Sequence, residues 1–95
     1  MSRTVRLSPP AKWDLRRLAN FLAERDRNAA GRMSAALREA LNSLADFAER
    51  APLIDEAEGL RELRIRFGKY GYAIHYSVES EVVLVIQIFH VREVR

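Results

Sequence analysis

Two histidines, sixteen lysines and arginines and no cysteine are what this 95-residue chain offers to chemistry. The place to look is the C-terminus, where His90 closes an apolar run and is followed by Arg92 and Arg95. An imidazole there can give or take a proton near neutrality, and the guanidiniums beside it can hold an anionic partner. Such a histidine is either a hydrogen-bonded strand terminus or an acid–base group. Arg61 and Arg64 lie upstream on a segment of alternating polarity, with Glu58 just before it. Arg64 and Arg66 share one side of that segment, which makes them either a solvated face or the contact for an acidic partner. His75, beside Tyr76, reads as structural or cross-strand paired, and Tyr70, Tyr72 and Tyr76 read as sheet core. The missing cysteines remove disulfides, thiolate metal sites and cysteine nucleophiles. No glycine-rich phosphate loop and no HxH or HExxH spacing occurs, so no cofactor and no metal are expected.

These residues need a sheet to hold them. Val82 to Phe89 is apolar at every position but Gln87, the mark of a strand interior to a sheet and covered on at least one side. Before it, Leu63, Ile65 and Phe67 alternate with Glu62, Arg64 and Arg66, and Gly68-Lys69-Tyr70-Gly71 reads as a turn. Tyr72, Ile74, Tyr76 and Val78 then alternate with Ala73, His75 and Ser77. Arg3 to Leu7 is a short edge strand with Val5 and Leu7 inward.

Two helices supply the cover. Ser8 followed by Pro9 and Pro10 signals a helix start, and Ala11, Leu15, Leu18 and Leu22 form its apolar stripe, to about Arg25. Trp13 lies opposite that stripe among Arg16, Arg17, Asn20 and Glu24, either resting on Arg or Lys stems or anchoring a partner. A longer helix is expected from about Asn28 to Glu49, with Met33 and Phe47 in its buried face. Its alanines allow close approach, so residues 9–49 read as an antiparallel helical hairpin. Residues 51–59, with Pro52 and Gly59, read as a loop. The expected fold is α+β, in the order β-α-α-β-β-β: one domain over residues 1–95, an antiparallel sheet with the hairpin on one face.

Composition agrees: 48% hydrophobic and 31% charged residues make a globular chain. A formal net charge of +3 permits a nucleic-acid or acidic-protein partner without requiring one. Residues 1–27 and 60–95 are basic, while 28–59 carry three basic and six acidic side chains. No apolar leader and no run long enough to span a membrane is present, so a cytoplasmic protein without membrane contact is expected.

Five pieces of sequence, in this order, resemble the ParE/RelE superfamily of bacterial type II toxins. They are Val5-Arg6-Leu7-Ser8-Pro9-Pro10-Ala11 with Asp14-Leu15; Pro52; Gly59-Leu60-Arg61-Glu62-Leu63; Tyr72-Ala73-Ile74-His75-Tyr76; and Val85-Ile86-Gln87-Ile88-Phe89-His90-Val91-Arg92. The resemblance implies a toxin neutralised by a cognate antitoxin in a hetero-oligomer. RelE-like members cut mRNA on the ribosome without metal, through attack of a ribose 2′-OH on the adjacent phosphate; ParE-like members poison DNA gyrase.

Attack by a 2′-OH needs a base, an acid and a cation on the developing charge. His90 as acid or base, Arg61, Arg64 and Arg92 as cations, and Glu58 as a distant base are the candidates. Three departures from the nuclease pattern count against them. The arginine that nuclease members often carry on the middle meander strand falls on Ala73, counted back from Tyr76. His90 is followed by Val91, where a tyrosine or basic residue is common beside the histidine. The first helix has Lys12 in place of a lysine cluster. The resemblance is therefore closer to ParE, with gyrase as expected target through Arg61, Arg64, His90, Arg92 and Arg95. An mRNA endonuclease is the alternative, and a toxin that only binds its antitoxin is the third possibility. The antitoxin is expected to dock around the hairpin and the sheet edge, at Trp13, Arg17 and Phe21.

Overall fold

The computed structural model describes residues 2–93. Strand β1 (Thr4–Leu7) leads through helices α1 (Pro9–Ala23) and α2 (Arg27–Ser43) to β2 (Leu53–Asp55), β3 (Leu60–Phe67), β4 (Tyr70–Val78) and β5 (Val82–His90). The five strands form one sheet in the order β1-β5-β4-β3-β2. The expected α+β fold with a helical hairpin on one face is present.

Each helix starts where a side chain can take up an orphan N–H. Ser8 Oγ accepts from Ala11 N at 3.2 Å, and Asp26 Oδ1 accepts from Ala29 N at 3.0 Å. Pro9 and Pro10 occupy the first turn of α1, where no N–H is missed. Leu18, Met33, Leu37, Leu41 and Leu44 then bury against Tyr72, Ile74 and Tyr76 of β4 and Val83, Val85 and Ile88 of β5. Fully burying a valine, leucine or isoleucine stabilises the fold by about 1.5–3 kcal/mol, so this seam between hairpin and sheet carries most of the stability.

The structure corrects the sequence reading in five places. The sheet is mixed: β1 pairs parallel with β5, Thr4 opposite Val82 through Leu7 opposite Val85. A parallel pair needs a long crossover, and here the rest of the chain supplies it. The loop expected over 51–59 contains β2, antiparallel to β3. Helix α2 stops at Ser43 because the carbonyls beyond it serve other partners: Ala45 O accepts from Arg3 N at 2.7 Å and Ala48 O from the Tyr76 hydroxyl at 2.7 Å. Phe47, expected in the core, is turned out and 63% exposed. Finally, the hairpin after β3 turns on Gly68 and Lys69 alone, and Tyr70 already pairs with Phe67. Tyr70 is thus exposed at the sheet's end, while Tyr72 and Tyr76 are buried as expected.

Candidate functional site at the exit of the last strand

Strand β1 covers β5 only through Val85. Beyond it lies a bulge at Ile86, between the pairs Tyr76–Val85 and His75–Gln87, and an edge whose backbone groups need partners. Helix α1 supplies them. Ser8 Oγ donates to Ile86 O at 2.8 Å, Asp14 Oδ2 accepts from Ile88 N at 2.9 Å, and Arg17 Nη2 donates to Ile88 O at 3.4 Å. Asp14 is the one buried charged residue among those described, and Arg17 Nε pairs with its Oδ1 at 3.0 Å. Arg17 also forks onto Glu93, with contacts of 2.8 and 2.9 Å. The hydrogen bonds it donates to Glu93 hold the guanidinium even more firmly protonated than usual, against a burial that acts the other way. This clamp fixes α1 against the exit of β5.

His90, opposite Tyr72 in the register, shares the helix-side face of the sheet. Its ring meets Tyr72 edge-on at 5.2 Å and Tyr70 at 6.0 Å, and Nδ1 accepts from Arg92 N at 3.2 Å. Arg92 lies 4.7 Å over the Tyr70 ring and donates from Nη1 to its hydroxyl at 2.7 Å. Burial raises the pKa of the Tyr72 phenol, and the charge of Glu93 adds to the rise. Between this cluster and α1 runs a groove of about 560 Å³ lined by Arg17, Phe21, Leu22, Tyr72, His90 and Arg92. Trp13, Arg17 and Phe21 recur every fourth residue and so share one flank of α1; Trp13 and Phe21 are both exposed.

The structure thus brings His90, Arg92, Arg17 and Phe21 to one groove. It does not bring Arg61 or Arg64 there. Arg61 stands opposite Tyr76, four residues along β4 from Tyr72, which is about 13 Å at the usual strand rise. Its Nη1 is held by Ala51 O at 2.6 Å and Glu49 O at 3.2 Å. Arg64 lies on the other face of the sheet, exposed, with Nε 2.9 Å from Glu62 Oε1. Glu58 sits in the turn before β3, farther still along the strand direction, and Arg95 lies outside the described residues. Tyr70 and Asp14 are the residues that sequence reasoning missed. Tyr70 has the parity of Tyr72 and Tyr76, but a turn taken as four residues long hid it.

The sequence matches the family described as "ParE toxin of type II toxin–antitoxin system, parDE" over residues 5–95. This chain belongs to the ParE toxin family. Toxin RelE1 of Caulobacter vibrioides is 38% identical over the full length of both chains, and Toxin RelE3 of the same organism is 30% identical over 98% of this chain and 99% of its own. Among solved structures, the chromosomal ParDE system of P. aeruginosa superposes with a TM-score of 0.76 at 15% identity, covering 94% of this chain and 96% of that one. The RelBE2 toxin–antitoxin complex of Mycobacterium tuberculosis gives 0.69 at 24% identity, covering 95% and 99%. Both share the fold described above.

On the helix-free face this ParE-family sheet carries a row of polar side chains from three strands. His75 Nε2 lies 2.8 Å from Glu62 Oε2 and Nδ1 lies 3.2 Å from Gln87 Nε2. The His75 hydrogen bond, followed by that of Arg64, holds the Glu62 carboxyl below its ordinary value of 4.5. A depressed carboxylate contributes stability that is complete above the unfolded-state pKa and is lost as pH falls through the folded-state one. Unfolding free energy is therefore expected to decline as pH drops below about 4.5, and Glu62→Gln should flatten that part of the profile. An unchanged acid limb in denaturant titrations of the variant would show that Glu62 is not the group responsible.

Proposed function

We propose that this ParE-family toxin acts by protein–protein contact with DNA gyrase and is held inactive by a cognate antitoxin. The observation that carries this reading is the dispersal of the cleavage candidates. Arg61 is committed to backbone carbonyls, Arg64 faces away, and the middle-strand position where nuclease members carry arginine is Ala73, which is 0% exposed. The exposed Arg92 and the half-buried His90 beside it are left as a tip suited to an acidic protein surface. The groove along α1 suits the antitoxin: an apolar lining with Arg17, Glu93 and Arg92 at its rim fits an amphipathic segment packed against Phe21. Trp13, about 12 Å from Phe21 at the helical rise, extends the same flank.

Purified toxin is expected to inhibit gyrase supercoiling and to trap cleaved DNA, with both effects reversed by stoichiometric antitoxin. Full supercoiling activity at saturating toxin would overturn the reading.

One observation favours a second reading, ribosome-dependent mRNA cleavage. His90, Arg92 and the Tyr70 hydroxyl form a cluster at a strand exit, with groups that can transfer a proton and stabilise charge. The relatives that bear the name RelE agree with it. Codon-positioned cuts in a translating extract, lost in His90→Ala, are its expected mark, and intact mRNA at toxic doses would dispose of it.

A further inference from the structure

A second groove, of about 530 Å³, opens between α1, α2 and β1. Its floor is apolar, with Leu7, Leu15 and Leu41, and its rim carries Lys12, Arg16 and Arg38 beside Asn42. Among the described residues no carboxylate lines it. All three cations are exposed, and none has an ion pair or side-chain hydrogen bond among the described residues. Lys12 and Arg16 stand one helical turn apart, a like-charge spacing that disfavours the helix. Three uncompensated cations around one depression call for an anion.

The neighbouring residue narrows the choice. Trp13 is 62% exposed, and no ring or cation contact covers its indole among the described residues. It follows Lys12 and sits one turn before Arg16, outside the groove's lining but next to two of its three cations. Lysine, arginine and asparagine side chains are the usual phosphate contacts of nucleic-acid surfaces, and an uncovered aromatic ring is the usual platform for an unpaired base. An acidic peptide accounts for the cations alone, whereas a single strand accounts for the cations and the ring together.

We propose that this face of the helical hairpin binds a single-stranded nucleic acid, with phosphates on Lys12, Arg16 and Arg38 and one base stacked on Trp13. The site is separate from the His90 tip and does not depend on gyrase as target. An antitoxin segment that reaches Trp13 competes with the strand only at that ring.

Trp13 is the sole tryptophan of the chain, so its emission reports the event directly. The full-length toxin, free of antitoxin, is titrated at low salt with short oligodeoxythymidylate and, separately, with oligouridylate. Emission is expected to be quenched, and log affinity to fall against log salt with a slope of about −2, at about 0.7 per phosphate for single strands. The tighter of the two oligomers identifies DNA or RNA as the source of the strand. Combined Lys12→Gln, Arg16→Gln and Arg38→Gln should weaken binding at least about tenfold and bring the slope towards zero, with the thermal midpoint confirming that the variant folds. If that variant fails to fold, Trp13→Ala and Trp13→Phe decide through the anisotropy of labelled oligomer. Alanine should lose about tenfold and phenylalanine should retain stacking. Unquenched emission at saturation, equal binding by the cation variant, or equal loss in Trp13→Phe and Trp13→Ala overturns the proposal. So does an oligoglutamate that binds as tightly with the same dependence on the three cations, since the ligand would then be an acidic peptide.

Discussion

Asp14→Ala is expected to melt far below the wild-type protein, with a loss of about 3–5 kcal/mol in denaturant titrations. The carboxylate is buried and does two jobs: Oδ2 accepts from Ile88 N and Oδ1 receives Arg17. Removing it leaves the Ile88 amide in the interior without that acceptor, on a residue whose side chain is fully buried, and an unsatisfied buried donor alone costs about 1–3 kcal/mol. It also takes from the half-buried Arg17 one of its two carboxylate partners, leaving only Glu93, at 2.8 Å. For a chain of this size each kcal/mol is worth about 4–8 °C of melting temperature, so the shift should be plain in a thermal scan. Asp14→Asn keeps an acceptor for the amide and loses only the charge, so it should fall between wild type and alanine. A loss below about 1 kcal/mol in Asp14→Ala would mean that α1 does not close the edge of β5 through this residue. The consequence for function is direct, because the same contact sets the register of Phe21 and Arg17 against Tyr72 and His90.

Gly71→Ala is expected to be equally damaging, at a cost of about 3 kcal/mol or more. Gly71 holds φ at +141°, and a Cβ there would stand 2.1 Å from the backbone oxygen of Ile65. The neighbour is main chain of the paired strand, so no flexible side chain can move aside. Relief requires β3 and β4 to part at the Arg66–Gly71 pair. The damage should be local enough to read: Gly71 O accepts from Val91 N at 3.0 Å, and it lies between Tyr70 and Tyr72. Amide exchange in Gly71→Ala should rise first at Val91 and across the β3–β4 hairpin. A variant with wild-type stability and exchange would refute the close approach.

The folding pattern was legible because it rests on periodicity. The unbroken apolar run of β5, the alternation in β3 and β4, and the stripes of the two helices each follow from which side chains must leave water. Ser8, Pro9 and Pro10 mark a helix start by local chemistry alone. The boundaries that failed are those where distant groups outbid local preference. Residues 44–49 have a helical pattern, yet Arg3 N, Tyr76 Oη and Arg61 Nη1 hold the carbonyls of Ala45, Ala48 and Glu49. Phe47 is carried outward with that turn. Tyr70 joined a strand because the hairpin closes in two residues.

Family membership and the strand exit at His90 were likewise readable from residues in order. The composition of the site was not. Arg61 and Arg64 match in type, but strand parity and register send one to the helix-exit carbonyls and the other to the opposite face. Asp14 looks like one more charged helix residue until β1 proves too short to cover β5. Sequence by itself determined the elements and the residues they bury, because burial and helix capping act over a few neighbours. Only the tertiary structure decided which polar groups meet, because that depends on where edges end and which backbone groups are left for side chains to satisfy.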